Sequence, residues 1–419
     1  MMAFRCPLLK LTVCLLLMAG SSSWAGTSVA TPAGQATSKA EPSSTRSSYT
    51  PAILHLRFTN AGRAGVGANA SGSFLDLTLI AATGDPIGKR VPITTADFAA
   101  QLRQLYGQLS KQEPLDVSNP KAPARLLYDL LIAPIAPDLQ RLGITTLLIA
   151  ADQGLQAVPL AALHDGQSFF GERYAFTLTP SIGLTPLGVP VNTPQAHQLG
   201  AGASSFDGLA PLPLVPQELS KVEGANGQTY LNTAFTPSVL IDKVADTSVV
   251  RVHVATHAEF LPGGPSQARL FTGTGPMNLS SFANLRQRRS GQPLDLIVLS
   301  ACRTALGDKD SELGFAGLAL QAGARSAIGT LWYVDDVATS AFFVQFYRYL
   351  NGGMPKAEAL QATRIAMAKG LFRRKGDQVV GPDGAILLTG LSLAQQQRIS
   401  DGLTHPFFWS GITLLGTPW

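Results

Sequence analysis

The chain reads as an α/β protein: a mostly parallel central sheet with helices on both faces, preceded by a smaller α/β or α+β amino-terminal subdomain. Three observations predict this class. Short apolar runs alternate with helical runs from residue 198 to the carboxyl terminus, the order of a parallel sheet wrapped by helices. The 419 residues are 45% hydrophobic and only 14% charged, against ~25% charged in an average domain, which excludes a disordered or fibrous chain. The length suggests two to three units of about 150 residues, enough to bury a large core.

Residues 1–25 read as a cleavable signal peptide. Arg5 and Lys10 give a basic start, Leu11 to Ala19 an apolar run, and Ser23-Trp24-Ala25 a small-residue cleavage pattern before Gly26. The run is too short to span a ~30 Å bilayer core, so an exported chain, periplasmic or secreted, with no stable membrane span is expected. Cleavage removes Cys6 and Cys14 and leaves Cys302 as the sole thiol. It also removes two cations, so the net charge of +5 becomes 5 − 2 = +3. That is too small for a nucleic-acid partner, and the short basic runs Arg286 to Arg289 and Arg373 to Lys375 read as solvated faces.

Residues 26–50, rich in Ser, Thr, Ala and Gly, read as a flexible tether. An amino-terminal subdomain is expected over residues 51–195 and the main core over 196–419. Ile53 to Thr59 alternates like a strand, and Phe74 to Ala81 is a second. Between them, Gly62 to Gly72 reads as a hairpin loop; the Gly65-Val66-Gly67 it contains lacks the helix a dinucleotide site requires. Thr94 or Thr95 caps a helix presenting Phe98, Leu102, Leu105 and Leu109 on one face. Ala124 to Leu131 is helical, ended by Pro134 and Pro137. Thr145 to Ala150 and Tyr174 to Thr179 are strands, and the proline-rich stretch 180–194 marks a boundary.

Beyond it, Gln198 to Ala203 is a strand and Pro216 to Val222 a helix. Thr236-Pro237 opens a helix to Val244. Ser248 to Ala255, Leu294 to Leu299 and Arg325 to Trp332 are strands. Glu312 to Gln321, Asp336 to Leu350 and Pro355 to Lys369 are helices. Val379 to Leu388 turns at Pro382-Asp383-Gly384, and Phe408 to Leu415 is the last strand.

Two strands end in reactive groups. His257 lies just past Ser248 to Ala255, and Cys302 just past Leu294 to Leu299. Open parallel sheets gather their sites outside the carboxyl ends of strands. If the two strands are parallel neighbours or one strand apart, imidazole and thiol face one cleft. That pair suits acyl transfer: the histidine promotes the thiolate and protonates the leaving amine, while the backbone N–H groups of Ala258 and Cys302 hold the oxyanion. The plainer alternative for a lone cysteine is a small core hydrophobe. His253, inside its strand, and His405, before Pro406, read as structural, and His55, His164 and His197 are scattered. Metal spacing is absent, with no HExxH and no CxxC. No P-loop and no GxSxG elbow occurs, so no cofactor is expected.

At these residues the sequence resembles the CHAT-domain family of caspase-like (clan CD) cysteine peptidases. VHVATHAEF is similar to the family's histidine strand, LIVLSACRTALGD to its cysteine strand, and HPFFWSGITLLG to its closing strand. The segment ELGFAGLALQAGARSAIGTLWYVDDVAT resembles the stretch between the last two. LYDLLIAPI, ADQGLQAVPLAALHDG and Thr179-Pro180-Ser181 resemble the amino-terminal half, so the likeness runs over residues 75–419. It implies a caspase–haemoglobinase-like fold, a His257/Cys302 dyad and hydrolysis of peptide bonds in a protein or peptide substrate through a thioester. It also suggests an acidic group that accepts a basic side chain beside the scissile bond, for which Asp207, Asp335 and Asp336 are candidates. The plainer role for Asp336 is a helix N-cap, and for Asp207 a loop turn. The chain departs from many members in having Arg303 after the cysteine, in lacking helical repeats, and in its exported character. A non-catalytic CHAT-domain interaction or scaffold protein of the cell envelope is the alternative, with a regulatory protein as its expected kind of partner, and an acyl transferase with the same dyad a third.

Overall fold

In the computed structural model the described residues are 49–60, 73–152, 154–179, 187, 196–224, 226–260, 268–282, 284–301, 314–332 and 335–419. The signal peptide, nearly all of the tether, the Gly62 to Gly72 loop and Cys302 lie outside them.

The chain opens with strands β1 (Pro51–Asn60), β2 (Ser73–Ala81) and β3 (Ile87–Pro92), then helices α1 (Thr95–Ser110), α2 (Pro123–Leu131) and α3 (Ala136–Arg141). Strand β4 (Thr146–Ala151), the short α4 (Phe170–Arg173) and β5 (Ala175–Thr179) follow. Next come β6 (Gln198–Gly202), α5 (Val215–Val222), β7 (Gln228–Leu231), α6 (Pro237–Ala245) and β8 (Arg251–Ala255). Short strands β9 (Ala258–Phe260), β10 (Ala268–Thr272) and β11 (Gly275–Asn278) lead to α7 (Leu285–Arg288) and β12 (Leu296–Ser300). The last part holds α8 (Gly314–Gln321), β13 (Ser326–Thr330), α9 (Asp336–Asn351), α10 (Lys356–Ala368), β14 (Arg373–Lys375), β15 (Gln378–Val380), β16 (Ile386–Leu388), α11 (Leu393–Arg398) and β17 (Ile412–Gly416).

Eleven strands form one sheet in the order β3-β2-β1-β4-β5-β17-β13-β12-β8-β6-β7. It contains two parallel blocks. Strands β1, β4, β5 and β17 run one way, and β13, β12, β8, β6 and β7 the other, because β17 pairs antiparallel with β13. The central strands β5, β6, β8, β12, β13 and β17 are buried at every residue, which explains why they read as continuous apolar runs. Helices cover both faces, with α5, α9 and α10 side by side in one group and α6 and α7 packed together in another. This is the mostly parallel α/β layout with helices on both faces that the sequence predicts.

Several boundaries shift for local reasons. Strand β8 begins at Arg251, not Ser248, because the Asp246 carboxylate accepts from the amide and hydroxyl of Ser248 and closes a turn there. Pro406–Phe408 forms a 3-10 turn on which His405 accepts from the Phe407 amide, so the closing strand begins at Ile412. Arg289, expected on a solvated face, is only 2% exposed. Its guanidinium donates to the carbonyls of Val244, Asp246, Val249 and Gln292 and ties α6 to β8 and α7. Strands β3, β7, β9, β10 and β11 and helices α3 and α11 have no counterpart in the expected elements. Gly202 matters to the site. A Cβ there would lie 2.6 Å from the Ala255 carbonyl and 2.7 Å from Val215, so its absence lets β6 and α5 close against the end of β8.

Candidate functional site at the carboxyl ends of β8 and β12

Strands β8 and β12 are hydrogen-bonded parallel neighbours, with Ala255 opposite Ser300. His257 lies two residues beyond Ala255, and Cys302 two residues beyond Ser300, outside the described residues. The two chain segments therefore leave one sheet edge at equal offsets.

His257 is half-buried. Its Nε2 lies 2.8 Å from the carbonyl oxygen of Ala210. A carbonyl only accepts, so Nε2 carries the proton and, in the neutral ring, Nδ1 is left with the free lone pair. Phe206 packs against the ring with centroids 4.7 Å apart. Both partners come from the loop between β6 and α5, which Gly202 allows to approach.

Directly after His257 the chain becomes β9, the edge strand of a three-stranded sheet ordered β11-β10-β9. The Phe271 amide donates to the His257 carbonyl at 3.0 Å, and Ala258 stands opposite Leu270. Hydrogen-bonded pairs alternate along an antiparallel ladder. The Ala258 backbone N–H consequently points away from β10, toward the open edge.

Beside His257 opens a cavity of about 130 Å³. The chain just before α5, the start of α5, the ends of β8 and β12, and the first turns of α9 supply its walls; Ser300, Ala301 and Asp336 are among them. Behind it sits a buried polar trio. Glu218 on α5 takes His253 Nε2 at 2.8 Å on one carboxylate oxygen and the Ser340 hydroxyl on the other. His253 is fully buried with its edge toward Phe343 and Tyr347, and its Nδ1 has no partner among the described residues.

Of the acids weighed in the sequence, Asp336 lines the cavity and Asp207 does not. Asp207 is exposed in the loop after β6. Asp335 is the N-cap of α9, accepting from the amides of Val337 and Ala338, so the cap is one residue before Asp336. Both aspartates pair with Arg398 of α11, and Asp336 also accepts from Gln395. Sequence reading missed Ala210, whose contribution is a backbone carbonyl that any residue carries. It also missed Glu218 and Ser340, one polar residue each on otherwise mixed helices, which acquire a role only when α5 and α9 pack.

A mostly parallel sheet that presents an imidazole and a cavity at the carboxyl ends of adjacent strands defines an α/β protein with its candidate site at a sheet edge. Residues 121–417 match the CHAT domain, and the chain belongs to that family. It is distantly similar to the Arg-specific cysteine proteinase gingipain R (RgpB), with a TM-score of 0.41 and 11% identity over 69% of this chain and 68% of that one. It is also similar to the Saccharomyces cerevisiae separase–securin complex, with a TM-score of 0.44 and 10% identity over 88% of this chain. That match spans only 30% of the other chain. The complex of Porphyromonas gingivalis RgpB pro- and mature domains gives a TM-score of 0.36 at 11% identity, over 69% of this chain and 70% of that one. No curated protein matches. No helix among the described residues is long and apolar enough to cross a membrane.

Proposed function

We propose that the protein is an exported cysteine endopeptidase in which His257 is general acid/base and Cys302 the nucleophile. The observation that carries the reading is the parallel pairing of β8 with β12, with both segments leaving the edge at equal offsets from the Ala255–Ser300 pair. The Ala210 carbonyl supports it further, because it holds Nε2–H and leaves Nδ1 to take the thiol proton.

The chemistry follows from those groups. Nδ1 accepts the proton of Cys302, and the thiolate attacks the carbonyl carbon of the scissile peptide. The oxyanion that forms is met by the outward N–H of Ala258 and by the Cys302 N–H. The imidazolium keeps Nε2–H on Ala210 throughout and returns its proton to the leaving amine. Water then adds to the thioester with His257 as base, releasing the acid and restoring the thiol. The leader over residues 1–25 supports export, and a chain recovered outside the cytoplasm should begin at Gly26.

Cys302→Ala is expected to abolish both cleavage of protein substrates and labelling by a thiol-reactive peptide mimic. Cleavage at the native rate by that variant would remove the mechanism. A Cys302→Ser chain that performs its cellular role unchanged would favour the interaction-protein alternative.

A further inference from the structure

The cavity beside His257 differs from an acidic pocket in one respect: its acids are already occupied. Both Glu218 oxygens are engaged, by His253 and Ser340, and Glu218 is 2% exposed. Asp336 accepts from Arg398 and Gln395, and Asp335 from two helix amides and Arg398. Asp207 is exposed and is not part of the cavity wall. An incoming lysine or arginine would have to shed its hydration to reach carboxylates that are already satisfied, with the Arg398 guanidinium on the rim acid.

The surface a guest would touch is aliphatic: Leu212, Leu214 and Val215 on one side, Ala301 on the other. Thr339, also in the wall and buried, has a hydroxyl with no partner among the described residues. The volume of about 130 Å³ is close to that of cavities of ~150 Å³ which hold a benzene-sized guest. A leucine or methionine side chain has that bulk. The cavity also adjoins His257 and the end of β12, where the acyl side of a scissile bond would lie if Cys302 attacks.

We propose that this cavity receives an uncharged, aliphatic side chain of leucine or methionine size from the substrate residue on the acyl side of the scissile bond, in place of the basic side chain the resemblance suggests. The assignment to that residue rests on the peptidase reading; the preference for an uncharged guest rests on the cavity alone.

The two are separable by experiment. Ligand-observed NMR on the full chain would compare 3-methyl-1-butanol with n-butylammonium and n-propylguanidinium. The neutral probe is expected to bind at least about tenfold more tightly than either cation. Leu212→Trp, at a half-buried wall position, should abolish that binding. Arg398→Ala frees Asp336 and should raise the affinity of the ammonium probe. Cations binding as well as the alcohol, or no probe binding at all, would overturn the proposal, whether or not the chain hydrolyses peptides. Where it does, fluorogenic peptides ending in leucine or methionine should exceed those ending in arginine or lysine by about tenfold in kcat/KM. The reverse order would overturn the proposal and return the choice to Asp207, leaving the dyad intact.

Discussion

Strands β8 and β12 meet a closed ion network at their amino ends and an open cavity at their carboxyl ends. At the amino ends Asp295, just before β12, accepts from Lys356 Nζ at 2.7 Å and from Arg251 Nε at 3.3 Å. Arg251 also reaches Asn351 at the end of α9, and Lys356 donates to the Asp295 carbonyl. Arg251 and Lys356 are 2% and 1% exposed. Burial pushes the Lys356 ammonium down from its ordinary range, and Asp295 pulls it back up. At the carboxyl ends His257 is half-buried, a backbone carbonyl is its hydrogen-bond partner, and the buried Thr339 hydroxyl in the cavity wall has no partner among the described residues. The same pair of strands thus carries charges that pair with one another at one end, where the buried Tyr347 hydroxyl alone lacks a partner among the described residues, and a half-buried imidazole beside an open cavity at the other. Unmatched buried polar atoms cost stability, and fold-wide they are tolerated where a ligand or a reaction uses the space.

The contrast can be broken most severely at Asp295. Asp295→Ala strips the carboxylate from a lysine that is 1% exposed, so a loss of about 3–5 kcal/mol is expected in chemical denaturation. Glu218→Ala should cost less, about 1–3 kcal/mol, because it leaves the His253 ring nitrogen and the Ser340 hydroxyl without their shared acceptor. If Glu218→Ala cost as much as Asp295→Ala, the two ends would not differ in the way described.

Lys356→Met should change stability by less than either, since it removes the ion that pays the desolvation cost and leaves Asp295 with Arg251. The sign with pH is fixed. With the Lys356 pKa lowered on folding, its charged form penalises the native state below the folded pKa, and the penalty lifts as pH rises toward the unfolded value. The stability difference between Lys356→Met and the native chain should therefore move in favour of the native chain across the alkaline range. A flat difference would show that the ammonium is not strained by burial. The smallest effect is expected at Thr339→Val. Its hydroxyl has no partner among the described residues, so stability should change by under about 1 kcal/mol, while binding of an uncharged probe in the cavity should rise.

The sequence carried the sheet well because its central strands are buried on both faces and are apolar throughout. The positions of β8, β12 and β13 and of the helices that follow were legible for that reason. The antiparallel edge strand β3 was not, because IGKRVP is mostly exposed and lacks an apolar face. Strands β9 to β11 are three to five residues long, shorter than any run whose periodicity can be counted. At the site, His257 was legible as the group past a strand end. Ala210, Glu218 and Ser340 were not, since each matters through a contact between distant parts of the chain: Glu218 with His253 at a separation of 35, Ala210 with His257 at 47 and Ser340 with Glu218 at 122. Arg289 was not legible as buried because charge in sequence says nothing about the four backbone carbonyls that accept from it in the fold.

The most direct measurement is the pH dependence of Cys302 alkylation by iodoacetamide, in a full chain carrying Cys6→Ser and Cys14→Ser and in the same chain with His257→Gln. A thiol sharing its groove with the ring of His257 should react with an apparent pKa well below the ~8.5 of a free cysteine, and His257→Gln should return it to that value. Superimposable profiles for the two chains, at the free-thiol value or with no reaction at all, would contradict the pairing of these two groups.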